Sequence, residues 1–170
     1  MRSGKVVLLL ALLLSFPWGI AAEGSGDFTG TWTMDPTRSE SAHQDVPTGT
    51  ATLVIRLTDA EISMETTRNE GDKPFHEVLT FRLDGTETSN TGDGGVAVTG
   101  KAHWDGPKLV VETSRNVQDS TVTTLYVHTL SANRRDLTID KTLTVQHGYQ
   151  GGNSAPTTGH GKDVFVRASQ

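Results

Sequence analysis

Four side chains with acid, base or hydrogen-bonding groups interrupt strand faces that are otherwise apolar. Glu77 and Lys141 each stand between apolar residues two positions away, and Tyr126 and His128 share a strand face with apolar neighbours. A charged or polar group on a core face is costly unless it is paired or in contact with water. These four residues are therefore candidates for the polar groups that orient a ligand inside the protein.

Two structural explanations compete with ligand binding for the same four residues. A β-bulge or a shift of register would turn the side chains outward. Alternatively, the charged groups pair for structural reasons, in the most specific case Glu77 with Lys141 as a mutual ion pair. The ligand hypothesis instead predicts that all four side chains line one connected cavity.

Sequence signatures of catalytic sites are missing. The chain has no G-x-S-x-G, H-E-x-x-H, P-loop or G-x-G-x-x-G motif. The glycine-rich residues 92–95 precede a strand and not a helix, which predicts a hairpin turn instead of a phosphate loop. No cofactor or metal is predicted, because no third ligand is evident for any pair of the six scattered histidines, which are His43, His76, His103, His128, His147 and His160.

The composition excludes several classes of protein. The chain has 170 residues, with 15 Lys+Arg, 20 Asp+Glu, no cysteine and a formal net charge of −5. Nucleic acid is not expected as a partner, because phosphate neutralisation needs clustered basic side chains. The lack of cysteine excludes disulfides, thiolate zinc sites, a cysteine nucleophile and an N-terminal lipoprotein anchor.

Residues 1–22 have the layout of a secretory signal peptide. Arg2 and Lys5 precede an apolar run at residues 6–14, and the small residues Ala21 and Ala22 follow. The alternative is a membrane anchor, but a bilayer span needs about 20 apolar residues. We expect cleavage after Ala22 or Ala21, no membrane span after cleavage, and a secreted or periplasmic protein. Export of a cysteine-free chain is typical of a bacterial envelope.

The remaining residues, 23–170, predict a single all-β domain. Apolar and polar residues alternate along them, and turn signals such as Asp84-Gly85 separate the alternating stretches. This spacing predicts an antiparallel up-and-down β-barrel of about 8–10 strands. Residues 37–49 and 148–161 are predicted as long loops, the second because it is rich in glycine.

The motif G-T-W-x-x-D-P-x-R-S, which begins at Gly30, carries a family resemblance. It resembles the first strand of lipocalins and related calycin barrels, and the start of small secreted proteins of environmental bacteria. The resemblance implies that Trp32 closes one end of the barrel and that Arg167, on the last strand, packs across it. The C-terminal helix of lipocalins is missing, so the chain is lipocalin-like.

These observations predict a non-catalytic protein that binds a small, partly apolar or amphipathic molecule inside a β-barrel. A barrel of this size either fills with side chains or holds one small ligand. The alternative function is therefore a structural or interaction protein of the cell envelope with a filled barrel. A third alternative is a small isomerase or hydrolase, which would need a strongly perturbed acid or base in the cavity.

Overall fold

The computed structural model describes residues 27–42, 49–70, 73–148 and 155–169. The predicted signal peptide, residues 1–22, and His43 lie outside the described residues. The predicted all-β up-and-down barrel is confirmed, with ten antiparallel strands. The strands are β1 (Gly30–Met34), β2 (Ala51–Leu57), β3 (Glu61–Glu70), β4 (Lys73–Arg82), β5 (Thr88–Thr91), β6 (Ala97–Asp105), β7 (Lys108–Val117), β8 (Ser120–Leu130), β9 (Asp136–His147) and β10 (Thr157–Arg167).

The sheet closes on itself almost completely. Its strand order is β4-β3-β2-β1-β10-β9-β8-β7-β6-β5. The first and last strands pair directly, with Trp32 opposite Arg167. The two edge strands are therefore β4 and β5, which approach each other without a ladder of backbone hydrogen bonds. We call this junction the seam.

Side chains bridge the seam where the backbone ladder is interrupted. The Oδ1 atom of Asn90 accepts a hydrogen bond from the Thr80 backbone N–H at 2.8 Å, and its Nδ2 donates to the Thr80 carbonyl at 3.0 Å. A carboxamide offers one acceptor and a donor group side by side, as a strand backbone does. Asn90 thus covers part of the edge that β4 would otherwise expose.

One end of the barrel is filled by apolar side chains. The turns β2–β3, β4–β5, β6–β7 and β8–β9 lie at this end, because the strands alternate in direction. We call it the closed end. Burial of each large apolar side chain there contributes about 1.5–3 kcal/mol, and the fully buried ones include Phe28, Trp32, Ile62, Phe81, Leu109 and Leu137.

The signature residues of the first and last strands meet at the closed end. The guanidinium carbon of Arg167 lies 4.2 Å from the centre of the Trp32 ring, and the indole N–H of Trp32 donates to the Phe28 carbonyl at 3.0 Å. Gly30 has φ +143, and a Cβ there would lie 2.7 Å from Nη1 of Arg167. Gly30 is therefore required both by its backbone conformation and by the position of the arginine.

The prediction of a loop over residues 148–161 is wrong for its second part. Strand β10 already begins at Thr157 and pairs with β9, whereas residues 149–154 lie outside the described residues. Gly159 and Gly161 are strand residues of β10. They lack side chains at the place where another segment of the chain crosses the strand closely. Glu40 and Lys162 exchange backbone hydrogen bonds of 2.6 and 2.8 Å, and a Cβ at Gly161 would collide with the backbone of Ala42.

Across the described ranges, no helix is long and apolar enough to span a bilayer.

Candidate functional site

The interior of the barrel contains a cavity of about 400 Å³ that is partly open to solvent. Its walls come from β2, β3, β4, β7, β8, β9 and β10. The cavity lies away from the closed end, because lining residues such as Phe75, Arg115 and Leu143 occupy the strand halves near the β3–β4, β7–β8 and β9–β10 connections. The walls are apolar over much of their area, through side chains that include Leu53, Met64, Leu79, Phe81, Ile139 and Phe165.

An ion pair across the seam contributes the first polar group of the cavity. Both terminal nitrogens of Arg115 donate to the carboxylate of Glu77, at 3.0 and 3.2 Å. The Glu77 side chain is 8% exposed and that of Arg115 is 23% exposed. The backbone N–H of Asp93 also donates to Glu77 at 3.3 Å. A carboxylate held by a bidentate arginine is a strong, geometrically defined pair.

The sequence around the β5–β6 turn leaves room for this pair. A Cβ on Gly92 would collide with the carboxylate oxygen of Glu77. Residues 92–95 form the turn that their glycine content predicts, with a short 3₁₀ segment at Asp93–Gly95. The turn therefore helps to hold the buried carboxylate in place, because it supplies a backbone hydrogen-bond donor to it.

A second ion pair lies on the inner face of β9 and β10. Nζ of Lys141 and Oδ1 of Asp163 are 2.6 Å apart, with side chains 15% and 6% exposed. Lys141 lies opposite Gly161 in the ladder, so Asp163 is its diagonal neighbour on the same face. Asp163 lines the cavity, but Lys141 does not.

The proposed ion pair between Glu77 and Lys141 is therefore wrong. Glu77 binds Arg115, and Lys141 binds Asp163. Each of the two charged groups has a nearer partner, one across the seam and one on the adjacent strand. The alternating pattern indicated which strand faces carry charge, but it contains no information on which strands meet.

His128 is an uncharged hydrogen-bonding group in the wall of the cavity. Its ring is 2% exposed, and Nδ1 lies 3.1 Å from the carbonyl oxygen of Leu109. A carbonyl only accepts, so Nδ1 carries the proton and Nε2 is left as an acceptor. Burial lowers the pKa of His128 from 6.5 to about 4, against the opposing effect of the hydrogen bond to Leu109. The imidazole is thus neutral at pH 7.

Several hydroxyl groups join His128 in the cavity wall. They include those of Tyr126, Thr113 and Thr124. The ring centres of Tyr126 and His128 are 6.4 Å apart, and Thr113 lies opposite Thr124 in the β7–β8 ladder. The structure records no hydrogen bond from these three hydroxyls or from Nε2 of His128 to another described residue.

The structure brings three of the four sequence-predicted residues into one cavity wall. Glu77, Tyr126 and His128 line it, whereas Lys141 does not line it and is paired with the lining residue Asp163. Sequence reasoning missed Arg115 and the hydroxyls of Thr113 and Thr124, which continue the inward faces of β7 and β8. It also missed Asp163, which lies on β10 just after the predicted loop of residues 148–161. The same signal, a polar residue on an apolar face, would have identified all of them.

The described part of the chain offers no group of three His, Asp or Glu side chains that would hold a metal ion. His128 is the lining residue with a clearly shifted pKa. A pKa of about 4 makes it a weak base at neutral pH, so it suits hydrogen bonding better than proton abstraction.

Comparison with protein families finds no match, and comparison with curated proteins finds none either. Solved structures share the fold. A protein described as the REP1-NXSQ fatty acid transporter matches with a TM-score of 0.53 at 14% identity, over 85% of this chain and 98% of that one. A "secretary abundant heat soluble (SAHS)" protein from Ramazzottius varieornatus matches with a TM-score of 0.55 at 14% identity, over 87% of this chain and all of that one. The chain therefore shares its barrel fold with these two proteins.

Proposed function

We propose that this protein binds a small, partly apolar molecule non-covalently inside its barrel, without catalysing a reaction on it. The observation that carries the proposal is the cavity of about 400 Å³, whose walls combine apolar side chains with a few converging polar groups. Sites for small molecules have this composition and lie within a size range of about 300–1,000 Å³. A filled barrel, the alternative expected of a purely structural protein, would leave no such space.

The fold similarity supports the same function. One of the structural neighbours is described as a fatty acid transporter. This barrel architecture is therefore compatible with an apolar ligand. We further propose that the protein acts outside the bacterial cytoplasm, because residues 1–22 have the pattern of a signal peptide.

A dye-binding assay tests the proposal. An environment-sensitive apolar dye should fluoresce with the mature protein and saturate at one dye per chain. Thr124→Phe should abolish this signal, because Thr124 lines the cavity and a phenyl ring would occupy it. Thr123→Phe is the matched control, since Thr123 neighbours Thr124 on the opposite face of β8. Equal dye binding by both variants would contradict an interior site.

A further inference from the structure

Two cations on the inner face of the barrel are already paired with carboxylates of the same face. Arg115 is bound by Glu77 through two hydrogen bonds, and Lys141 by Asp163 at 2.6 Å. To reach either of these two cations, a ligand carboxylate would have to separate the pair or enter beside a buried carboxylate. Both alternatives are costly, because breaking a buried pair leaves a charge uncompensated and like charges repel at short range.

Apart from Arg68, the polar groups of the wall that lie outside the two ion pairs are uncharged. Nε2 of His128 is an acceptor, and the hydroxyls of Tyr126, Thr113 and Thr124 both donate and accept. All four groups lie in the cavity wall, and none has a hydrogen-bond partner within the described residues. The neutral acceptor on His128 favours a ligand that donates a hydrogen bond, which an ionised carboxylate cannot do.

Arg68 is the remaining cationic side chain in the wall. Its guanidinium carbon lies 5.7 Å from the centre of the Phe75 ring, and both residues lie where β3 and β4 approach their connection. Arg68 is thus separated along its strand from the closed end. Arg68 belongs to neither of the two inner ion pairs, which makes this residue the test of the opposite hypothesis.

We propose that the cavity selects neutral amphiphiles, namely lipophilic molecules whose polar end is a hydroxyl or an amide, over the corresponding carboxylates. This inference rests on the proposed function, since it names the class of molecule that the same cavity takes. An amide or hydroxyl donates to Nε2 of His128 and accepts from the threonine or tyrosine hydroxyls, and it leaves both ion pairs intact.

Displacement of the bound dye by matched probes tests the selectivity. Decanol, decanamide, methyl decanoate and decanoate share one alkyl chain, and only decanoate is ionised at neutral pH. We expect decanol and decanamide to displace the dye at concentrations at least about tenfold lower than decanoate, a difference of about 1.4 kcal/mol. Methyl decanoate should be weaker than decanamide, because it is neutral but donates no hydrogen bond.

The outcomes separate this inference from the proposed function. Equal or better displacement by decanoate, lost in Arg68→Met, would overturn the inference and leave the binding function standing. Failure of the dye and of every probe to bind would overturn both.

Variants of the cavity wall give a second, independent readout. Thr124→Val removes one hydroxyl at nearly constant volume and should weaken decanol about three- to tenfold, whereas Thr123→Val should leave it unchanged. Unchanged binding of decanol by Thr124→Val would contradict the contribution of that hydroxyl.

Glu77→Gln should raise the affinity of the cavity for anions. It releases the charge of Arg115, so decanoate should bind at least about tenfold more tightly and should raise the melting temperature of the variant. Glu112→Gln is the matched control, because it breaks an exposed pair with Lys101. If Glu77→Gln gains no affinity for decanoate, paired charges are not what excludes anions, and the inference fails.

Discussion

His128 donates its Nδ1 proton to the backbone carbonyl of Leu109, the residue directly opposite it in the β7–β8 ladder, at 3.1 Å. This contact fixes the tautomer of a buried imidazole. The ring therefore presents a neutral acceptor to the cavity, which is the basis for the ligand class inferred above.

The burial of His128 predicts a specific pH dependence of stability. In the unfolded chain the histidine titrates near its ordinary pKa of 6.5, whereas burial lowers the folded pKa to about 4. Between these values the unfolded state binds a proton that the folded state does not. Stability should thus be complete above pH 6.5 and fall by about 3 kcal/mol as the pH drops to 4.

Urea unfolding at a series of pH values checks this prediction. His128→Gln removes the titrating group and should flatten the dependence between pH 6.5 and 4. The low pKa of Asp35, about 2, arises mainly from its hydrogen bonds to Thr37 and Arg38 and affects stability only at pH values below its ordinary 3.8. A steep slope between pH 6.5 and 4 that persists in His128→Gln would assign the effect to another group.

Trp32→Ala should destabilise the protein by about 3–5 kcal/mol, because it removes a fully buried ring from the closed end. Arg167→Met should destabilise the protein less than Trp32→Ala does. It removes the cation–π contact, worth about 0.5–2 kcal/mol, and the hydrogen bonds of the guanidinium to backbone carbonyls. Val166→Ala, at an exposed position of the same strand, is the control. Melting temperatures measure all three, and an unchanged value for Trp32→Ala would refute the structural importance of the motif.

The side-chain amide of Asn90 should contribute to the stability of the seam. Asn90→Ala removes both hydrogen bonds to the Thr80 backbone and should destabilise the fold by about 1–3 kcal/mol. Hydrogen exchange at the Thr80 amide should accelerate in this variant and not in Ser89→Ala, whose side chain is exposed on the same strand. Equal exchange rates in the two variants would indicate that the seam is closed by other contacts.

A double-mutant cycle tests the ion pair at the seam. Glu77→Gln and Arg115→Met should each destabilise the protein by about 2–4 kcal/mol, because each leaves a poorly solvated partner without its counter-charge. Their combination should recover much of this loss, whereas Glu77→Gln with Lys141→Met should be additive, since these residues have separate partners. Strong coupling in the second cycle would contradict the observed pairing.

N-terminal processing tests the proposed location. Protein recovered from the periplasm or culture fluid of a bacterial host should begin at Glu23 or Ala22. N-terminal sequencing that finds Met1 on a membrane-bound product would contradict export with cleavage.

The strand faces were predictable from the sequence, whereas the partners of the charged residues were not. Alternation places Glu77 between Phe75 and Leu79 on an inward face, and the structure agrees. Pairing across the seam depends on which strands become the edges of the sheet. Because β1 pairs with β10, the edges of the sheet are β4 and β5.

Glycine content caused a second error in the sequence prediction, the loop over residues 148–161. Gly159 and Gly161 predict a loop by composition, but in the fold they let residues 40–42 cross β10 closely. The sequence contains no local signal for such an approach, because the crossing segment is more than a hundred residues away.

Native mass spectrometry of the mature protein from its own host tests the central claim most directly. The protein should carry a non-covalently bound small molecule of defined mass, released on unfolding. The Thr123→Phe variant should retain this molecule, and Thr124→Phe, with its cavity filled, should lose it. A wild-type mass equal to that of the chain alone, or a molecule that Thr124→Phe retains in full, would contradict ligand binding inside the barrel.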